Sequence, residues 1–311
     1  MLRRIIIITA LIWLPLAMWA QQEPHFAHYW AMEPSFNPAA AGKEKVINVT
    51  GAYAMTLTGF ENAPKTMYVG ADMPFRLLNA FHGAGIQIMN DQLGLFSHQR
   101  LVLQYNYKHR LLGGTISGGV QFGILSEKFR GSQLDLENGD DPAFTRSDVT
   151  GVAMDISAGL YYNHRNWYVG VSALHLTSPS VELGDRSILN ISPAYYLTGG
   201  YNIKLRNPFL TIHPSVLGTY DGANYRVDAT ARVKYTHEKK MLYAGVGYSP
   251  DNSVTAFVGG NFHGICLGYS YEVYTKVLKL GNGSHELFVG YQTELNFSKK
   301  GRNRHQSVRI L

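Results

Sequence analysis

Cys266 is the only cysteine in this 311-residue chain. A single thiol excludes an internal disulfide framework, so the fold must be held by a packed core or by closure of a sheet. Long hydrophobic runs are equally scarce. The one candidate spans residues 5–17, is interrupted by Pro15, and lies at the very start. Nothing after it approaches the ~20 apolar residues that a spanning helix requires. A helical membrane bundle is thereby excluded. The remaining way to cross lipid is a closed barrel, because only helices and closed barrels satisfy every backbone group there. A nucleic-acid-binding face is missing too. The formal charge of +6 comes from Arg3 and Arg4 and from Lys299, Lys300, Arg302, Arg304 and Arg309, in two stretches without an acid; residues 21–297 balance at −1. That pattern describes a basic tail, not a basic surface.

What is present points to export and to strands. Arg3-Arg4, the short apolar run, and Ala20 before Gln21 have the form of a cleaved leader covering residues 1–20, with Met18 larger than the residue usual three places before the cut. The chain holds 20 Tyr, 14 Phe and 32 Gly, which favour pleated, crowded sheets with aromatic edges. Its mean hydropathy of −0.12 suits strands that alternate lipid-facing with lumen-facing residues.

Fourteen segments of roughly ten residues follow: 46–58, 65–73, 80–90, 97–109, 114–126, 151–164, 166–177, 192–204, 208–220, 224–236, 240–249, 253–262, 264–275 and 285–297. Their period is two. Tyr225, Val227, Ala229, Ala231, Val233 and Tyr235 share one face, and Arg226, Asp228, Thr230, Arg232 and Lys234 the other. Leu101, Leu103, Tyr105 and Tyr107 oppose Arg100, Gln104, Asn106 and Lys108 in the same way. A helix would repeat every 3.6 residues. Aromatics at both ends of an apolar face, as at Tyr225 and Tyr235, occupy the girdle positions of a membrane interface. Connections after odd segments include the long 127–150 and 178–191, whereas 163–165, 205–207 and 262–263 are short. The expectation is an all-β, antiparallel up-and-down transmembrane barrel of about 14 strands over residues 46–297. An irregular segment, 21–45, precedes it and a basic tail, 298–311, follows. An even strand number places both termini at the short-turn, periplasmic end.

Inward-facing charges are Arg100, Lys108, Asp155, Arg226, Asp228, Arg232, Lys234, Glu272 and Glu294. They wet a lumen, line a channel or pair with a plug. An added Arg is expected to be better tolerated at lumen-facing Thr230 than at Val227 or Ala229. No metal site is expected: His25 and His28 lack a third ligand, and Asp135, Glu137, Asp140 and Asp141 do not fit a calcium loop because Gly139 is misplaced. No catalytic residue is expected either. Ser97-His98 and Ser284-His285 are sequence neighbours, and neighbours in a strand point to opposite faces. No cofactor is implied.

The segment after the leader reads Gln21-Gln22-Glu23-Pro24-His25-Phe26-Ala27-His28-Tyr29-Trp30, then Pro34, then Asn37-Pro38-Ala39-Ala40-Ala41-Gly42. It resembles the mature N-terminus of the PorP/SprF family, outer-membrane components of the type IX secretion and gliding machinery of Bacteroidetes. Glu23 keeps the family's acidic charge, whereas Ala27-His28 departs from its Ser-Gln. Pro64-Lys65-Thr66, Gly83-Ala84-Gly85, Asn90-Asp91-Gln92-Leu93-Gly94, Tyr105-Asn106-Tyr107, Trp167-Tyr168-Val169-Gly170-Val171-Ser172, His175-Leu176 and Ser284-His285-Glu286 extend the likeness along the chain. Their order and spacing carry it. The resemblance implies a non-enzymatic secretion component in the outer membrane, in contact with its lipid. Its partners would be periplasmic ring proteins and lipoproteins, with secreted cargo or an adhesin as further candidates. A channel of porin or fatty-acid-transporter type is the alternative, and an outer-membrane hydrolase a third.

Phe26, Tyr29, Trp30 and Phe36 crowd the N-terminal segment, and Pro24, Pro34 and Pro38 deny it a long regular element. Pro24, His25, Phe26, Tyr29, Trp30, Asn37, Pro38 and Gly42 are therefore expected to fold into or across the periplasmic mouth as a plug that narrows it, or to bind a partner there.

Overall fold

The computed structural model describes residues 23–133, 147–184, 187–238, 240–275 and 282–295. The leader with its Ala20/Gln21 junction, the acidic positions 135–141, Asn296-Phe297 and the basic tail lie outside the described residues.

Fourteen strands close into one antiparallel barrel: β1 (Val46–Met55), β2 (Lys65–Leu77), β3 (Ala80–Leu93), β4 (Phe96–Leu111), β5 (Gly114–Arg130), β6 (Asp148–Asn163), β7 (Trp167–Leu174), β8 (Ala194–Tyr201), β9 (Leu210–Tyr220), β10 (Tyr225–His237), β11 (Lys240–Ser249), β12 (Ser253–Phe262), β13 (Ile265–Tyr274) and β14 (Ser284–Glu294). Each pairs with its sequence neighbours, and β14 closes on β1 from Val46↔Glu294 to Met55↔His285. A two-residue strand, Ile203–Lys204, prolongs the β8 edge onto β9. Closure leaves no sheet edge to be satisfied by lipid.

The expected alternation governs the wall. Val227, Val233, Leu101, Leu103, Ile156 and Leu160 point outward and are exposed, while Asp228, Arg232, Arg100, Gln104, Asp155 and Ser157 point inward and are buried. Aromatic pairs mark both rims, with Tyr195 against Tyr220 at one end and Tyr162 against Trp167 and Phe209 against Tyr235 at the other. Four of the seven connections after odd strands are long, at 56–64, 131–147, 175–193 and 275–283, and define a long-loop end. Those after β3, β9 and β11 are short, so the alternation in loop length is only partial.

The wall is uneven. β4, β5 and β6 have 16, 17 and 16 residues, whereas β7 and β8 have 8 each. β7 stops short of the expected residue 177 because His175, at φ 55°, turns the chain inward. The following loop forms a small hairpin, Ser180–Leu183 with Ser187–Asn190, that lies over the inner face of β6 with Val181 and Leu183 buried.

Candidate functional site: a lumen filled by its own N-terminus

Residues 23–42 do not cover one mouth. They thread the lumen along its length, entering at the short-turn end and reaching the long-loop end. Glu23 lies at the long-loop end, where it meets His175 at 2.7 Å and Arg100 at 3.5 Å. Gly42 lies near the short-turn end, where its N–H donates to Asp72 Oδ2 at 2.7 Å and Lys108 Nζ donates to its carbonyl. The cause is the number of partners. An irregular backbone in a water-poor lumen must find one for every polar group, and a single rim cannot supply them.

Lumen side chains take that part. Gln87 and Gln104 both donate to the Pro34 carbonyl, at 2.6 and 2.7 Å. Arg100 donates to Ser35 O, Ser172 to Phe36 O, and Asn106 to both Pro38 O and Ala41 O. Glu286 accepts the N–H groups of Ala27 and His28. Pro24, Pro34 and Pro38 bring no donor, which shortens the list of groups to be met. Three 3₁₀ turns, Tyr29–Ala31, Glu33–Ser35 and Pro38–Ala40, satisfy further groups internally, and Asn37 caps the last by accepting from Ala39 N–H.

Packing fixes the same path. Phe26 and Met32 bury against Ala52, Tyr68, Met89 and Phe288. Tyr29 and Phe36 bury against Leu174, Ala194, Tyr196 and Leu217. Each large side chain removed from water contributes about 1.5–3 kcal/mol. The Pro38–Ala40 turn sits in a groove of glycines. A Cβ on Gly119 would stand 2.5 Å from Ala39 N, one on Gly83 2.2 Å from Ala41 O, and one on Gly159 2.2 Å from Asn37 Oδ1. Nothing larger than hydrogen fits there.

Charge completes the attachment. His25 meets Asp228 at 3.0 Å, and His28 meets Glu286 at 2.6 Å. Arg226 holds Asp228 and Glu272, and His175 bridges Glu23 and Asp155. Buried Glu33 takes Lys43 at 2.6 Å and the Tyr161 hydroxyl at 2.9 Å. Tyr29 Oη reaches Ser215 and Thr230, and Arg232 stacks on Trp30 with its guanidinium carbon 3.8 Å from the ring centre. Of the inward-facing charges, Glu294 alone sits exposed at the short-turn rim. Ser97 donates to Asn90 while its neighbour His98 pairs with Glu127. Ser284 meets Leu57 N–H, and His285 meets Tyr269.

Sequence reasoning missed Gln87, Gln121, Ser172 and Thr198 in the lumen, and the seating role of Gly83, Gly119 and Gly159. Their one signal is their place on the inward row of strands that repeat every two residues.

The Glu23–His175 contact carries a pH expectation. Burial alone would raise the Glu23 carboxyl, but the His175 and Arg100 cations overrule it and hold it down to about 2. Burial alone would lower His175, but Glu23 and Asp155 push it up to about 9. The depressed carboxyl stabilises the contact above its ordinary 4.5 and loses that stabilisation as pH falls through 2. The raised imidazole stabilises it fully below its ordinary 6.5 and loses that as pH rises through 9. Hydrogen exchange at residues 23–28, corrected for intrinsic rates, should be slowest between about pH 4.5 and 6.5. His175→Gln should remove the alkaline limb. A flat profile in the parent protein would contradict the assignment.

The family model for the type IX secretion system membrane protein PorP/SprF matches residues 18–291. The chain belongs to the PorP/SprF family. No curated protein sequence matches it. Among solved structures, the CymD monoaromatic hydrocarbon channel aligns over 86% of this chain and 93% of its own, at 9% identity and a TM-score of 0.52. A Pseudomonas aeruginosa FadL homologue aligns over 82% and 91%, at 11% identity and a TM-score of 0.47. The likeness to the CymD channel is one of fold alone. The PorP/SprF protein described here is an outer-membrane β-barrel of the type IX secretion family.

Proposed function

We propose that this PorP/SprF protein is a non-enzymatic docking barrel of the type IX secretion machinery. Its two rims meet partners, and its lumen conducts nothing. The observation that carries the reading is the occupied lumen: the backbone carbonyls of Pro34, Ser35, Phe36, Pro38, Ala41 and Gly42 are each met by a wall side chain. Inward polar groups committed to the chain's own backbone across the path favour a plugged docking barrel over free passage. The short-turn end faces the periplasm, where ring proteins and lipoproteins of the secretion complex are the partners. The long-loop end, with its hairpin over β6, is left for an adhesin or cargo.

Affinity purification of the tagged protein from native envelopes, with mass spectrometry, tests this together with planar-bilayer recording of the purified barrel. Type IX secretion proteins should co-purify, and the bilayer should stay silent. Steady conductance without enrichment of any secretion component would reverse the reading in favour of a channel.

A further inference from the structure

The plug divides the lumen unequally. From Pro34 to Gly42 its hydrogen bonds run to Asp72, Gln87, Arg100, Gln104, Asn106, Lys108 and Ser172 and to the carbonyls of Leu160 and Val171, all on β2–β7. On the opposite wall, β9–β14, the inward-facing His213, Lys234, Met241, Asn261, Cys266 and Gln292 are all partly exposed.

Around Trp30, several buried donors have no hydrogen-bond partner. Arg232 is 5% exposed; its Nη2 reaches Ser215 Oγ at a long 3.5 Å, and its Nε–H has no partner. Tyr243 is also 5% exposed, and its hydroxyl has no partner. The Trp30 indole N–H is buried without one. Lys234 Nζ lies 6.0 Å from the Trp30 ring centre, and among the described residues neither it nor Arg232 has a carboxylate within 4.0 Å. These groups are one cluster: the Trp30 and Tyr243 ring centres are 5.1 Å apart, edge to face, with Arg232 over the indole. Of the nearby acids, Glu286 is fully engaged and Glu33 only in part. Glu286 holds His28 and two backbone N–H groups, and Glu33 Oε2 holds Lys43 and Tyr161. The Glu33 Oε1 atom is free, and Glu44 is exposed. Gly259 and Gly268, paired side by side, leave room for the Tyr243 hydroxyl, which lies 2.3 Å from where either Cβ would be.

We propose that Arg232, Lys234, Tyr243 and Trp30 form a binding site for a carboxylate entering from the short-turn end. Three buried donors without acceptors leave a desolvation cost, and neither of the two cations beside them has a carboxylate within 4.0 Å to offset its charge. A planar carboxylate supplies what is missing. It takes two parallel N–H bonds from the guanidinium, and its second oxygen has lone pairs for the phenol, the indole or the ammonium. The aromatic walls favour an anion with an apolar body over a strongly hydrated inorganic one. The carboxylate is that of a free acid or of an acidic side chain on a polypeptide. The site stands independently of the docking reading, since it rests on the unpartnered donors alone.

Trp30 reports on it. After residue 20 the chain has two tryptophans, Trp30 and Trp167, so Trp167→Phe leaves Trp30 as the single emitter. The purified barrel in detergent is titrated at fixed ionic strength with sodium acetate, with a capped peptide carrying one Glu, and with chloride and inorganic phosphate as reference anions. Binding should appear as a saturable change in Trp30 emission with acetate, with the peptide, or with both, and which one responds identifies the source. Arg232→Gln should weaken it at least tenfold and Tyr243→Phe by a few-fold, with heat-modifiable gel mobility showing that each variant is folded. Should Arg232→Gln fail to fold, Lys234→Gln replaces it, with a severalfold weakening expected. No saturable change with either carboxylate, an equal change with chloride, a response to phosphate alone, or an unaltered response in the folded variants would each overturn the proposal.

Discussion

With Gly119→Val and Gly159→Val together, the barrel is expected to assemble and to leak. Both glycines lie on the inner face, paired across β5 and β6, and neither has a left-handed φ. Valine suits a strand, so the wall loses no hydrogen bond and gains β propensity. The plug has no such freedom. At Gly119 even a methyl group would press on the backbone of Ala39 and Pro38, and at Gly159 on the Asn37 side chain that caps the turn. Asn37 also donates to the carbonyls of Leu160 and Val171, so the turn cannot slide aside without losing those bonds. Overpacking of this kind costs about 1–3 kcal/mol at each site. The strain falls on the plug, the more weakly held partner. Bilayer recording should show discrete openings absent from the parent protein, and protease should cut near residues 36–42 while the barrel keeps its heat-modifiable mobility. A silent, protected double variant would mean that the glycine groove is not what seats the plug. Deletion of residues 23–42 supplies the fully open reference.

The wall was legible because its signal is local. A strand with one lipid face and one lumen face repeats every two residues, and Tyr225 to Tyr235 shows that without knowledge of any other segment. The N-terminal segment had to be read differently. Its aromatics and prolines mark it as ordered and irregular, but its path depends on partners far along the chain: His28 meets Glu286 and Glu23 meets His175. No periodicity encodes such pairings. The sequence therefore points to a plug in or across the periplasmic mouth without fixing how deep it runs. The seat glycines illustrate a second limit. Gly83, Gly119 and Gly159 lie on three strands and form one groove only after register is known. In sequence they look like the glycines that relieve crowding in any barrel. The inward charges were readable as inward, but that Arg226 would be shared by Asp228 and Glu272, while Arg232 would stack on Trp30, is a matter of three-dimensional neighbours.

Ala229→Arg should block assembly, whereas Thr230→Arg should allow it and loosen the plug. Ala229 is the middle of the outward row of β10, flanked by Val227 and Ala231 and paired with Val216 on β9 and Tyr248 on β11. None of these offers a counter-charge, and an Arg held near the bilayer midplane costs about 2–4 kcal/mol, or roughly 30- to 1000-fold in the folding equilibrium. The same change at Tyr235, on the short-turn rim, should cost only about 0–1 kcal/mol because the side chain reaches the interface. Thr230 faces inward, and a water-filled lumen would tolerate Arg there better than the lipid face does, as the sequence suggests. The lumen at Thr230 is occupied instead. Its hydroxyl lies 3.2 Å from Tyr29 Oη and 2.7 Å from Ser215 Oγ, and the residue is buried. An Arg displaces Tyr29, so the penalty falls on the plug and not on insertion. Refolding into lipid vesicles separates the two by gel mobility, and hydrogen exchange at residues 26–32 then reads the plug. Equal folded yields for Ala229→Arg and Tyr235→Arg would place β10 wrongly in the membrane. Unchanged exchange in a folded Thr230→Arg barrel would remove Tyr29 from the set of plug anchors.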